Sequence, residues 1–85
     1  MTATAENLTQ VQIYRGSETV VISLDSTEYG FEVSATSFYR TSHGARVGGS
    51  FERFFSKLED ARKYANGYYA HMIKKGYARV QPRKR

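Results

Sequence analysis

The sequence predicts an α+β domain in which a four-stranded antiparallel sheet is followed by one C-terminal amphipathic helix, in the order ββββα. Two observations carry this prediction. Residues 29–36 alternate strictly between apolar or aromatic side chains and glycine or polar side chains, as in a strand with one buried face. Residues 57–75 place apolar side chains at three- and four-residue steps, as in an amphipathic helix. The 85-residue length suits one small domain.

The first two strands are predicted to form a hairpin. Residues 11–15 alternate, Gly16 and Ser17 supply a two-residue turn, and residues 19–24 are rich in β-branched side chains. We expect residues 1–9 to be disordered, residues 10–79 to form the domain and residues 80–85 to form a flexible basic tail.

The third strand is predicted after a turn at residues 25–27. Its period of two places four side chains on the buried face: Tyr29, Phe31, Val33 and Ala35. Residues 37–50 contain three glycines and several bases, and they are predicted to be a loop. A short fourth strand is expected at residues 51–55.

The helix carries the clearest local signals. Ser56 and Glu59 have the spacing of a capping box, which predicts a helix start near residue 57. Gly76 follows two lysines and is predicted as the residue that ends the helix in a left-handed conformation. The apolar stripe between them comprises Leu58, Ala61, Ala65, Tyr68, Tyr69 and Met72.

Charge is distributed unevenly along the chain. Residues 1–36 contain one base, Arg15, against five acids, whereas residues 37–85 contain twelve bases against three acids. A concentrated basic half indicates a surface that faces a polyanion. The charge distribution therefore favours a nucleic-acid-binding protein and does not distinguish DNA from RNA.

The candidate contact residues all lie in this basic half. We expect its arginines and lysines to contact phosphates through a glycine-rich loop, the helix C-terminus and the tail. Tyr39, which precedes Arg40, is the candidate for stacking on a nucleobase. The predicted phosphate contacts are Arg40, Arg46, Arg53, Lys74, Lys75, Arg79, Arg83, Lys84 and Arg85.

Several classes are not indicated. The chain has no cysteine, and its two histidines lack the spacing of a metal site, so we expect no metal and no cofactor. No nucleophile is paired with a base, so we expect no catalytic residue and no enzyme activity. The N-terminus does not resemble a signal peptide and no apolar run could span a membrane, which predicts a cytoplasmic protein.

The segment from residue 38 to residue 77 resembles a WGR domain. The resemblance rests on Phe55-Ser56, Glu59-Asp60-Ala61, Lys74-Lys75-Gly76-Tyr77 and the upstream run His43-Gly44-Ala45-Arg46-Val47-Gly48. The chain has no tryptophan, and Ala45 separates Gly44 from Arg46. The resemblance implies a DNA-binding module in which Arg46 takes the place of the family's arginine, and it therefore favours DNA over RNA as the partner. The strand and helix order also resembles AP2 and phage-integrase arm-binding domains, which place a sheet in the major groove.

A protein-binding role is the alternative. A small phage- or plasmid-type regulator that binds an acidic partner surface would carry a similar basic half. Such a surface should include exposed apolar anchors, and Phe38, Tyr39 and Phe54 are the candidates. A homodimer formed through a sheet edge, for example at residues 11–15, is compatible with either function.

Overall fold

The structure, a computed structural model, describes residues 6–80 and confirms the predicted α+β architecture. Four long antiparallel strands precede the helix, and a short fifth strand follows it. The strand order across the sheet is β4-β3-β2-β1-β5. The elements are β1 (Glu6–Arg15), β2 (Glu18–Thr27), β3 (Gly30–Thr41), β4 (Gly44–Phe55), α1 (Leu58–Lys74) and β5 (Ala78–Arg79).

Both boundaries of the predicted domain shift. β1 begins at Glu6, so the prediction of disorder is wrong for residues 6–9. Pairing with β2 holds this segment, and the Asn7 side-chain amide donates to the Asp25 carboxylate at 2.9 Å. At the other end, the Val80 amide donates to the Gln12 carbonyl at 2.8 Å. Residues 1–5 and 81–85, which include most of the predicted tail, lie outside the described residues.

The predicted loop at residues 37–50 is instead the outer part of a β-hairpin. β3 and β4 pair without interruption apart from one register shift after Ser37, and a two-residue turn at Ser42 and His43 joins them. The Thr41 hydroxyl accepts from the His43 amide and donates to the Gly44 carbonyl. Gly44 has a φ of 115°, which glycine adopts more easily than other residues.

The β2–β3 turn has the same hydrogen-bond pattern. The Thr27 hydroxyl accepts from the Tyr29 amide and donates to the carbonyl of Gly30. Tyr29 therefore lies in a turn with 88% of its surface exposed, and its predicted place on the buried face is wrong. Phe31, Val33 and Ala35 do face the core as predicted.

The helix lies across one face of the sheet, called here the helix side, and leaves the other, the open face, uncovered. Its first turns pack near β3 and β4, where Leu58 and Ala61 join Leu24 and Val33. Its last turns reach β1, where Met72 joins Ile13. The predicted apolar stripe is confirmed, because Ala61 and Met72 are buried and the other members pack around them.

The two helix ends differ in how well the sequence predicts them. The capping box is not formed: β4 continues to Phe55, Lys57 becomes the N-cap, and no side chain caps the helix. Ser56 thus lies one residue too early to cap. At the C-terminus the Gly76 amide donates to the Ile73 carbonyl and the Tyr77 amide to the Met72 carbonyl. This is a Schellman motif, and Gly76 has the predicted positive φ.

No helix within residues 6–80 is both long and apolar enough to cross a membrane.

Candidate nucleic-acid interface

The fold sorts most charged side chains into two opposite ends of the domain. The basic end is formed by the β1–β2 turn, the β3–β4 turn and the helix C-terminus, which meet because the Arg15 guanidinium donates to the Lys75 carbonyl at 2.8 Å. The Arg40 amide also donates to the Ser17 carbonyl at 3.0 Å. Among the described residues, this end carries Arg15, Arg40, Arg46, Lys74 and Lys75, with Glu18 as its one acid.

The acidic end is formed by the β2–β3 turn, the start of β1 and the helix N-terminus. Leu58 packs there with Phe31 and Phe55, which places the first helical turn beside the end of β4. Its described bases are Lys57 and, one cross-strand row inward, Arg53. Its acids are Glu6, Asp25, Glu28, Glu32, Glu59 and Asp60. Glu59 and Asp60 are favourably placed there, because a helix N-terminus carries partial positive charge.

Arg15 is a member of the basic end that the sequence does not predict. It stands alone in the acidic half of the chain, and only β1 pairing and the return of the chain after α1 bring it to the lysines. Its guanidinium carbon lies 4.5 Å from the centroid of the Tyr77 ring, a cation–π distance. Arg15 therefore closes the helix C-terminus and also adds charge to the basic end.

The hairpin presents its two arginines on opposite faces. Arg46 is the cross-strand partner of Tyr39, which is itself the partner of Glu18, so all three side chains lie on the helix side. Arg40 pairs with Ala45, and this pair lies on the open face. Both arginines are exposed. The predicted set of contacts at the hairpin is therefore divided between two surfaces.

Tyr39 has the geometry of an exposed ring on a fixed support. Its ring covers Gly48 so closely that a Cβ on that glycine would overlap it. The side chain remains 42% exposed. Tyr39 shares its face with Arg46, its cross-strand partner, and not with Arg40, which follows it in sequence.

Glu18 is the structural acid of the basic end. Its carboxylate accepts hydrogen bonds from the Tyr77 hydroxyl and, at 2.7 Å, from the Ser37 hydroxyl. These bonds, first that from Tyr77, together with Arg15 and Tyr39 nearby, hold the pKa of Glu18 below its ordinary value. The Glu18 carboxylate therefore connects β2 to Ser37 on β3 and to Tyr77 in the segment after the helix.

Two other predicted contacts lie away from the basic end. The Arg53 guanidinium stacks on the Tyr64 ring, with 5.7 Å between its carbon and the ring centroid. Arg79 is the partner of Ile13 on β5, at the opposite edge of the sheet from β4. Arg46 and Arg53 are separated by about 20 Å along β4. The structure therefore does not gather all predicted bases into one surface.

The remaining predicted contacts are Lys74 and Lys75, which are exposed at the basic end, and Arg83, Lys84 and Arg85, which lie outside the described residues. Tyr77 is 7% exposed and belongs to the core. Tyr64 packs against Phe55 at 5.5 Å between ring centroids.

A cleft of about 180 Å³ opens beneath Glu18, where the oblique helix leaves part of β3 and β4 uncovered. Gly49, Phe51 and Tyr68 line it, and burial in this region raises the pKa of Tyr68. Within residues 6–80, no group of three or more His, Asp or Glu side chains is arranged to hold a metal ion.

Comparisons with protein-family models, with curated proteins and with solved structures found no match for this chain. The likeness of residues 38–77 to a WGR domain stays a prediction.

Proposed function

We propose that this protein binds nucleic acid without catalysing a reaction, using the helix side of its basic end. The single observation that supports this function is the collection of exposed bases at one end of the fold, where the one described acid is already hydrogen-bonded internally. The proposed phosphate contacts are Arg15, Arg46, Lys74 and Lys75, with Tyr39 beside them.

The proposed ligand is duplex DNA. Proteins that bind single strands combine a basic groove with several aromatic rings on which successive bases stack. On the helix side of the basic end, Tyr39 is the one exposed Tyr or Phe ring among the described residues. A surface of basic side chains with one aromatic ring suits contact with a phosphate backbone better than contact with a series of unstacked nucleobases. Each phosphate contact releases a counterion, so binding should weaken steeply with salt.

The alternative, a regulator that binds an acidic protein, receives less support from the arrangement of apolar side chains. Phe54 is 69% exposed, but it is the partner of Glu32 at the acidic end. Phe38 is half-buried on the open face, where it pairs with Thr19. An interface for an acidic protein should have apolar anchors among its bases. On the helix side of the basic end, Tyr39 is the one candidate of the three, whereas Phe38 lies beside Arg40 on the open face.

Two double variants with the same change in net charge test the proposal. Arg46→Ala with Lys75→Ala removes two bases from the basic end, and Arg62→Ala with Lys63→Ala removes two exposed bases from the middle of the helix. Fluorescence polarisation with labelled duplex DNA, single-stranded DNA and RNA measures their affinity. We expect the first variant to lose about tenfold or more on duplex DNA, at roughly 1 kcal/mol or more for each lost charged contact.

The matched variant should bind within about twofold of the wild type, because exposed charges far from the contact are screened by salt. Equal losses in the two variants would mean that net charge alone attracts the DNA. Absence of binding by the wild type to all three probes at physiological salt would overturn the proposal.

A further inference from the structure

The open face of the sheet is a large surface that the proposed function does not use. It is built from five cross-strand rows. Three of the exposed apolar side chains of the described residues lie on it: Tyr14, 46% exposed, Val47, 65%, and Phe54, 69%. Tyr14 and Val47 lie at the two ends of one cross-strand row that also contains Phe38, whereas Phe54 lies three rows away at the acidic end.

Charge on this face is arranged along the strand direction. Arg40 with Ala45 forms the row nearest the basic end, and Asn7, Asp25, Glu32 and Phe54 form the row at the acidic end. The three rows between them are uncharged apart from Glu52 on the edge strand. They consist of Tyr14, Thr19, Phe38 and Val47, then Gln12, Val21, Thr36 and Ser50, then Gln10, Ser23, Ser34 and Glu52.

The acidic row has no described base among its own cross-strand partners. Partial burial, and then the neighbouring carboxylates of Glu52 and Asp25, raise the pKa of Glu32. A positive group placed over this row from outside would relieve that repulsion.

We propose that the open face is the interface of a symmetric dimer, in which two sheets stack face to face with their strands antiparallel. A two-fold axis across the strands near Thr36 places Arg40 of one protomer over Glu32 of its partner, since Arg40 and Glu32 are each four residues from Thr36 on β3. The same operation faces Val21 with its own copy, because Val21 is the cross-strand partner of Thr36. The whole domain has the matching polarity, with its basic end over the acidic end of its partner.

A second copy fits this face better than an unrelated protein. The face carries Arg40 at one end and Glu32 at the other, so two copies related by a two-fold axis form two Arg40–Glu32 pairs, whereas Asp25 and Glu52 face no base in this arrangement. Self-complementarity of such pairs is the condition for a two-fold interface. Four strands about 27 Å long and about 4.8 Å apart give this face a flat area on the order of 500 Å². A stable interface buries about 800 Å² of accessible surface per partner, so a dimer must also bury the side chains that rise from this flat area. Twisted sheets stack with an angle of about 30°, which such a contact accommodates.

Charge-reversal complementation tests the dimer. Arg40→Glu and Glu32→Lys should each raise the dissociation constant about tenfold or more in sedimentation equilibrium, because each sets like charges opposite one another. An equimolar mixture should recover dimers that contain one chain of each variant. In the mixed pair the glutamate introduced at position 40 faces the lysine introduced at position 32, and the remaining Arg40 faces the remaining Glu32. Native mass spectrometry should show these dimers at twice the 9.7 kDa mass of one chain.

Arg46→Glu is the matched control, because Arg46 leaves the same hairpin from the opposite face. It should weaken DNA binding and leave the dimer unchanged, so failure of the dimer and failure of the proposed function are distinguishable. A wild type that stays monomeric at all concentrations would overturn the inference. So would single variants that dimerise like the wild type, or a mixture that shows no preference for the mixed pair.

Discussion

The two ends of this domain use glutamate in opposite ways. At the basic end, Glu18 accepts hydrogen bonds from Tyr77 and Ser37, and its pKa is lowered. At the acidic end, partial burial, and then the neighbouring carboxylates of Glu52 and Asp25, raise the pKa of Glu32. The comparison shows that the carboxylate within the basic end is stabilised by internal hydrogen bonds, whereas Glu32 at the other end is repelled by Glu52 and Asp25. An external ligand is therefore expected to be an anion at one end and a cation at the other.

The largest expected loss of stability comes from changes in the two turns that close the β2–β3 and β3–β4 hairpins. Gly30 and Gly44 both have positive φ, so replacing either with Ala should cost about 1–3 kcal/mol of unfolding free energy from backbone strain. Gly30→Ala should cost more, because its Cβ would lie 2.5 Å from the Phe55 carbonyl oxygen, whereas the space at Gly44 is open. Urea denaturation of both variants measures the difference. Equal losses would show that the β2–β3 turn at the acidic end relaxes as freely as the hairpin tip.

Removing the structural acid should have the next largest effect. Glu18→Gln keeps the shape of the side chain but loses charge-assisted hydrogen bonds, and we expect a loss of about 1–2 kcal/mol at neutral pH. Because the folded pKa of Glu18 lies below its unfolded value of about 4.5, this stability is present above pH 4.5 and disappears as pH falls through the folded pKa. Denaturation from pH 7 to pH 3 should show wild type and variant converging at the acid limit. A difference in unfolding free energy that stays constant at all pH values would show that the charge of Glu18 does not contribute to stability.

Removing the charge of Glu32 should change the unfolding free energy by a smaller amount and in the opposite direction. Glu32→Gln is expected to stabilise a dilute, monomeric sample by about 0.2–1 kcal/mol at neutral pH, since like charges face each other across the strands. The raised pKa of Glu32 means that the wild type loses stability as pH rises through that pKa, so the variant's advantage should vanish in acid. Destabilisation at pH 7 would contradict the account of repulsion in the acidic row.

The sequence predicts this fold well where one side of an element is buried. The alternation of residues 31–35 and the helical stripe from Leu58 to Met72 both arise from contact with the core, and both predictions are confirmed. The outer part of the β3–β4 hairpin has both faces in water, so its sequence carries no alternation to detect. The available signal was the repeat of Thr and Gly three residues apart, at Thr27 and Thr41, which forms the same turn twice.

The candidate site is predicted less completely, for a related reason. A charge count along the chain finds Arg46, Lys74 and Lys75, but it assigns Arg15 to the wrong region and groups Arg40 with Arg46. Which end and which face a base occupies depends on strand pairing between distant segments. Arg15 reaches Lys75 through a contact that spans 60 positions of sequence.

The salt dependence of duplex DNA binding tests the central claim most directly. A plot of the logarithm of affinity against the logarithm of salt concentration has a slope of about −0.9 for each phosphate contact. The account predicts that Arg46→Ala with Lys75→Ala makes the slope shallower by about 2, and that Arg62→Ala with Lys63→Ala leaves it unchanged. Slopes that change equally in the two variants, or in neither, would contradict a binding surface at the basic end.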